Sequence, residues 1–283
     1  MRVGYFGPEG TFTQEALLAA TVGLELDQVP LPTIYDAVMA VDAGTVDRVL
    51  VPIENSLEGS VNATLDALAM ETEDVSIVGE VVHPIRHCLI ARAELELPEI
   101  EVVISHPHAS AQCARFVRTR LPQATVMAGS STAEAVRTVA GEDRPWAALG
   151  TRLAAARYGC AVLRSDVEDV ADNETRFVWL APSGSPPGGP GVDDPLGPWK
   201  TAIVFWGVGS EAPGWLVACL SEFAQRGVNL TRIESRPRKQ GLGRYMFFVD
   251  IEGRTAEPHV AAGLERLRGH VEALRVLGSF PAA

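Results

Sequence analysis

The chain has 283 residues, 47% of them hydrophobic, and a formal net charge of −12. That apolar content supports sizeable cores and excludes global disorder, and the length allows two or three domains. The acidic balance argues against nucleic acid and anionic membrane as main partners, and an anionic ligand needs local donors to overcome the overall field.

Met1 leads directly into a short strand-like run. No charged segment followed by a long apolar stretch stands before it, so no secretory leader and a cytoplasmic location are expected. No run of about 18 apolar residues marks a membrane span. The four cysteines, Cys88, Cys113, Cys160 and Cys219, are widely spaced with no C-x-x-C pair. They read as reduced core thiols rather than a zinc or redox site.

In chain order, the alternation of apolar runs and amphipathic segments predicts strand Val3–Phe6, helix Thr11–Thr21, a short strand Val29–Leu31 and helix Thr33–Ala43. Strand Arg48–Ile53, helix Asn62–Met70 and strands Val75–Val82 and Arg86–Ala91 follow. The pattern then repeats: strand Val102–Ser105, helix Pro107–Arg120 with Pro near its start, strand Thr125–Met127, helix Ser131–Ala140, strand Trp146–Leu149 and helix Thr151–Tyr158. Thr11 with Gln14, and Ser131 with Glu134, read as capping boxes. Strands Val162–Arg164 and Thr175–Leu180 close this unit. Repeated β/α alternation predicts open, mostly parallel sheets in two lobes with a cleft between them, and Thr175–Leu180 as a strand crossing back to the first lobe.

Pro182 to Lys200, "PSGSPPGGPGVDDPLGPWK", is dense in Pro and Gly and reads as a linker. The unit after it predicts strand Thr201–Trp206, helix Trp215–Arg226, strands Val228–Arg236 and Arg244–Ile251, helix Pro258–Leu267 and strand Val271–Phe280. This β-α-β-β-α-β order is that of a ferredoxin-like sandwich, a fold that by itself specifies no function. The expected division is 1–181, with one lobe of about 1–80 plus 168–181 and the other about 81–167, then a linker at 182–199 and a small domain at 200–283.

Four stretches carry candidate chemistry. "GPEGTFTQEA", Gly7 to Ala16, joins strand to helix. Glycines let backbone approach a ligand and the helix start offers free N–H groups, although taken alone the stretch reads first as a tight strand-to-helix turn with a well-capped helix. It lacks the Gly-Lys-Ser/Thr of a nucleotide loop. "VPIENSLEGSVNATLDAL", Val51 to Leu68, places Glu54, Asn55, Ser56 and Ser60 beyond the end of a buried strand, where open α/β sheets bind ligands. Turn and capping chemistry accounts for Asn62 and Ser60 but less well for Glu54-Asn55-Ser56. "ISHPHASAQC", Ile104 to Cys113, repeats this arrangement in the second lobe. His106 and His108 lack a third ligand at a recognisable spacing, and Pro84 separates His83 from His87, so no metal is expected. No Gly-x-Ser-x-Gly elbow marks a nucleophile. "DNETRF", Asp172 to Phe177, opens the crossing strand. Alternation puts Thr175 and Phe177 on one face and Arg176 on the other, and an ion-paired strand entry is the plain alternative.

Taken in order, Gly7-Pro8-Glu9-Gly10-Thr11-Phe12, Pro52-Ile53-Glu54-Asn55-Ser56, Glu58-Gly59-Ser60-Val61, Ser105-His106-Pro107 and Thr175-Arg176-Phe177 resemble the prephenate dehydratases of phenylalanine biosynthesis. Gly214-Trp215-Leu216 and "NLTRIESRP", Asn229 to Pro237, resemble the phenylalanine-responsive ACT domain that follows the catalytic part in that family. The resemblance implies a two-lobed catalytic domain like a type 2 solute-binding protein, with prephenate converted to phenylpyruvate, water and carbon dioxide and no cofactor. It implies that Thr175 donates to the departing hydroxyl, that Arg176 binds a carboxylate or locks the geometry, and that Phe177 shapes the cleft. Thr11, Asn55, Ser56, Ser60 and His106 would position substrate. Gly214, Leu216, Asn229, Glu234, Ser235, Arg236 and Pro237 would bind L-phenylalanine as effector, at an interface between two ACT domains of a homodimer or a dimer of dimers. A threonine hydroxyl is a weak acid, so hydrogen-bond stabilisation of the leaving oxygen suits Thr175 better than full proton transfer. Two positions depart from the family pattern: His108 where Gln is frequent, and bulky Trp215 where a small residue is usual. Arogenate dehydration and a non-catalytic amino-acid sensor are the alternative readings.

Overall fold

Short apolar runs become buried strands, and the helices after them start on hydroxyls. Thr11, Thr33, Ser131 and Thr151 each accept from the backbone N–H three residues on, which fixes where each helix begins. In the computed structural model, the structure describes residues 1–192, 197–207, 209 and 212–283. The first lobe runs β1 (Arg2–Phe6), α1 (Phe12–Ala20), β2 (Asp27–Leu31), α2 (Ile34–Asp42), β3 (Arg48–Asn55), β4 (Gly59–Ser60), α3 (Asn62–Met70) and β5 (Val75–Pro84). The second holds β6 (Cys88–Ala91), β7 (Val102–Ser105), α4 (Pro107–Gln112), α5 (Ala114–Arg120), β8 (Thr125–Ala128), α6 (Thr132–Ala140), β9 (Trp146–Gly150), α7 (Arg152–Tyr158) and β10 (Ala161–Arg164).

β11 (Glu174–Pro182) returns to the first lobe and inserts between β3 and β5, giving the order β2-β1-β3-β11-β5. The second sheet is ordered β10-β6-β9-β7-β8. The sheets are less parallel than the alternation predicts. β1 is parallel to β2 and β3, and β7 to β8 and β9, but β11 is antiparallel to both neighbours, as β6 is to β9 and β10. The antiparallel strands are those that adjoin the two crossings between lobes.

Two expectations are corrected. The helix predicted over Pro107–Arg120 is two helices, broken at Cys113, whose backbone leaves the helical region (φ −114°, ψ 14°). Asp169 of the returning chain holds the break: its carboxylate accepts from the N–H groups of Arg115 and Phe116, capping α5 from outside. The first part of the Pro/Gly stretch is also no free tether. Gly188 packs on Gly79, Gly189 lies against the Trp179 indole, and Arg48 donates to the carbonyls of Pro186 and Gly188. Residues 193–196 of that stretch lie outside the described residues.

The C-terminal unit comprises β12 (Trp199–Trp206), α8 (Trp215–Ala224), β13 (Leu230–Pro237), β14 (Tyr245–Glu252), α9 (Pro258–Arg268) and β15 (Ala273–Pro281). Its antiparallel order β13-β14-β12-β15 is that of the ferredoxin-like sandwich. Helices α8 and α9 cover one face, their Phe223 and Leu264 sharing a core with Phe205 and Val249 of the sheet. The other face carries no helix of its own unit among the described residues and is covered by the first lobe: Val204, Phe248, Leu277 and Phe280 join one core with Ile77, Val178 and Leu68 there. The backbones meet at Gly278, where a Cβ would stand 2.1 Å from the carbonyl oxygen of Ile77. Among the described residues no helix is long and apolar enough to cross a membrane.

Candidate active site

A cavity of about 670 Å³ lies between the lobes. Four helix starts reach it: Thr11 at α1, Val61 and Asn62 at α3, His106 at α4, and Ser131 and Thr132 at α6. Helix starts carry unpaired N–H groups and partial positive charge, and no side chain caps α3. Among the described lining residues there is no lysine or arginine. The site therefore offers an anion dipoles, hydroxyls and imidazoles rather than a full positive charge.

Thr175 and Phe177 line the cavity and Arg176 does not. Strand alternation produces this split. A bulge opposite it, where Arg176 pairs with Glu54 but Phe177 with Pro52, adds local twist without disturbing it. Thr175 is 8% exposed and its Oγ1 accepts from Asn55 Nδ2 at 2.9 Å. The amide of Asn55 has only one possible orientation, because its Oδ1 accepts from the N–H groups of Leu57 and Glu58, both at 3.0 Å. Asn55 must therefore donate to Thr175, and the Thr175 proton is left to point elsewhere. Burial of a polarised hydroxyl beside an amide, with no base in contact among the described residues, makes a hydrogen-bond donor rather than a nucleophile.

The other expected residues divide. Thr11, Ser60 and His106 line the cavity with Asn55. Ser60 is already engaged from behind: it accepts from Arg232 at 2.7 Å and donates to Glu234 at 3.1 Å. His106 accepts the His108 N–H on Nδ1, and burial and then the neighbouring His108 hold its pKa below the usual histidine value. His108, in the family's frequent glutamine position, also lines the cavity, edge-on to His106. Ser56 lies outside the lining and clamps the returning chain, accepting from the Glu174 N–H at 3.0 Å. The placement of Arg176 corrects the expected carboxylate-binding role. Its guanidinium lies on the far side of the sheet, facing Asp250, Glu80 and Glu54. The Gly-Pro-Glu-Gly loop also has a second use. Gly10 approaches Ala154 of the second lobe, accepts from the Thr151 hydroxyl at 2.6 Å, and would clash there if it carried a Cβ.

Sequence reading missed Gln112, Asn173 and His87. Asn55 donates to Asn173 at 2.7 Å, Asn173 to Gln112 at 3.0 Å, and Gln112 to Glu58 at 3.2 Å. This polarised chain ties the second lobe to the first beside Thr175. His87 Nε2 lies 3.0 Å from the same Gln112 oxygen and so carries the proton, while its buried Nδ1 has no partner among the described residues. Burial lowers the His87 pKa, against opposing contributions from Gln112 and nearby carboxylates. Gln112 and Asn173 stood inside stretches singled out for other residues, but their pairing joins segments 61 positions apart, which no local spacing signals.

The expected effector residues do not form one site within the chain. Glu234 and Arg236 share the β13 face turned to the first lobe, where Arg236 grips Asp66 with two bonds of 2.8 and 2.9 Å. Ser235 and Pro237 are exposed on the opposite face, Asn229 is exposed and bonded to Glu252, and Gly214 and Leu216 lie at the start of α8. Trp215 packs its ring on Phe205 and Phe247 and donates to the carbonyl of His270.

Fold and cleft define a two-lobed α/β protein with a ferredoxin-like domain docked behind one lobe. The family profile of prephenate dehydratase matches residues 3–185. A prephenate dehydratase of Amycolatopsis methanolica is 42% identical over 284 residues, covering 100% of this chain and 89% of its own. The crystal structure of prephenate dehydratase from Arthrobacter aurescens, in complex with L-Phe, aligns with TM-score 0.88 and 38% identity over 99% of this chain and 90% of that one. A quorum-quenching acylase, GqqA, aligns with TM-score 0.84 and 28% identity, covering 100% and 98%. The chain belongs to the prephenate dehydratase family, whose members are hydro-lyases.

Proposed function

We propose that the cleft binds prephenate between the lobes and catalyses its decarboxylating dehydration in phenylalanine biosynthesis. The helix starts of both lobes hold the two carboxylates, which a net charge of −12 would otherwise repel. As the ring carboxylate leaves as carbon dioxide, its bonding electron pair enters the ring, the ring aromatises, and hydroxide departs from the opposite carbon. One proton is taken up, so prephenate dianion gives phenylpyruvate anion, carbon dioxide and water. Thr175, accepting from Asn55, directs its own proton to the departing oxygen and stabilises the charge developing there. Phe177 shapes the apolar wall for the ring, and Thr11, Asn55, Ser60 and His106 orient the substrate. Ser56 supports the site by holding the returning chain.

The single observation that carries this reading is the fixed donor geometry of Asn55 onto Thr175 in the wall of the cleft. It also weighs against an acylase, which needs a base on its nucleophile, and against a sensor, which needs no such donor. The test is incubation with prephenate and, separately, arogenate, following phenylpyruvate and phenylalanine. Phenylpyruvate from prephenate is expected; activity on neither substrate contradicts the reading, and preference for arogenate changes the substrate.

We infer further that the C-terminal unit is an ACT domain answering to L-phenylalanine, as the ligand of the Arthrobacter aurescens relative supports. Gly214, Leu216, Asn229, Ser235 and Pro237 remain the effector contacts, completed by a second copy of the chain, while Glu234 and Arg236 act indirectly from the opposite face. Titration with L-phenylalanine is expected to change the rate of a dimer or larger assembly. An unchanged rate without binding contradicts this, and a Trp215→Ala variant that gains the response assigns the block to the indole.

A further inference from the structure

Directly behind the cleft, the two domains share a buried charge cluster. Arg176, which follows Thr175 in the chain, places NH2 2.5 Å from Asp250 of β14 and lies 3.5 Å from both Glu54 and Glu80. Glu80 also meets Lys200 at 2.6 Å. Side-chain exposure is 12% for Arg176, 3% for Asp250 and 1% for Glu80, so solvent screens these charges little. Arg232 of β13, 6% exposed, approaches Glu54 at 3.8 Å and donates to Ser60 at 2.7 Å. Asp250 and Arg232 thus reach the backs of the elements whose fronts carry Thr175, Asn55 and Ser60.

We propose that Asp250 and Arg232 are positioning residues for the dehydration, acting on the cleft through Arg176 and Ser60; this rests on the reading of the cleft as the prephenate site. The closest carboxylate to Arg176 is Asp250, and Arg176 shares a backbone with Thr175. A desolvated guanidinium cannot stay put without its counter-charge. Losing Asp250 lets Arg176 swing toward Glu54 or Glu80 and twists β11 at the position where Thr175 must meet the departing hydroxyl. Arg232 acts on binding instead: it fixes the Ser60 oxygen at the edge of the cavity. Movement of β13 and β14 against the first lobe is in this way felt at both places, and it gives the C-terminal domain a direct physical hold on the reaction.

Kinetics on the full chain separate the two contacts. Asp250→Asn is expected to lower kcat about tenfold with KM near wild type, because small misplacement of a catalytic group costs rate. Arg232→Gln is expected to raise KM several-fold with kcat nearly unchanged. Leu277→Ala serves as control, since it loosens the apolar part of the same interface without touching the charges. Equal kinetic losses in Leu277→Ala and Asp250→Asn at equal loss of melting temperature overturn the proposal, as do wild-type kinetics in both charge variants. Should Asp250→Asn fail to fold, Arg232→Gln decides alone, by a raised KM or an unchanged one. Amide exchange over residues 174–177 reads the same contact without turnover. Asp250→Asn speeds it and Leu277→Ala does not; unchanged exchange in Asp250→Asn overturns the proposal. An inactive wild type removes the prephenate reading and leaves the exchange result to decide positioning.

Discussion

The two faces of β11 use opposite electrostatics one residue apart. Thr175 faces a cleft lined by amides, hydroxyls, imidazoles and helix starts, with no lysine or arginine among its described lining residues. Arg176 faces a largely buried cluster of full charges, with Asp250, Glu80 and the partly exposed Glu54 around it. Burial alone would lower the Arg176 pKa, yet those carboxylates more than compensate and raise it. The difference follows from what each face must do. A permanent contact tolerates strong charges that are never separated, whereas a ligand that enters and leaves is better held by many weak dipoles.

Four perturbations probe this contrast. The largest effect is expected at the seam between the domains. Gly278→Ala drives a Cβ into the carbonyl of Ile77, a backbone atom that cannot swing aside. Stability should fall by about 3 kcal/mol, the upper end of usual overpacking costs, as read from the denaturation midpoint; an unshifted midpoint means that the domains are not seated this way. On the cleft face, Asn55→Asp replaces the donor at Thr175 with an acceptor. The Thr175 proton turns toward the new carboxylate, and kcat should drop about hundredfold. A drop below about threefold leaves Asn55 without this role.

Elsewhere on the seam, Arg236→Ala removes two bonds to Asp66, whose pKa lies below the usual aspartate value despite a burial contribution that raises it, through Arg236 and then Lys239. A thermal melt should show a loss of about 1–2 kcal/mol at neutral pH. The loss should shrink as pH falls through the folded-state pKa of Asp66; one of constant size at low pH would assign it to packing instead. The smallest effect is a slope. The His87 pKa is lowered from 6.5 by burial, so as pH falls below that value the unfolded chain takes up protons first and stability declines. His87→Gln should flatten the decline between about pH 7.5 and about pH 5.5. A slope that survives the substitution points to another group, His106 first, since its pKa is shifted the same way.

Much of this architecture is legible in the chain because local rules apply at full strength. Thr11, Ser131 and Thr151 announce helix starts by their own capping chemistry, and period-two alternation alone separates Thr175 and Phe177 from Arg176. What stayed hidden depends on distant partners. Alternation sends Arg176 to the other face, but nothing local signals its partner there, Asp250, 74 positions away. Gln112 and Asn173 looked incidental because each takes its meaning from the other. The break at Cys113 is invisible in the helical period, since Asp169 makes it from outside. Glu234 and Arg236 read with Ser235 as one motif, although a strand must send alternate side chains to opposite faces.

The donor role of Thr175 is tested most directly by comparing Thr175→Ser with Thr175→Val on prephenate, following phenylpyruvate. Serine keeps the hydroxyl, and valine keeps the shape but has no proton to give. The serine variant should stay within about tenfold of wild type while the valine variant falls about a thousandfold, with both melting near the wild-type temperature. A valine variant as active as the serine variant would contradict the account.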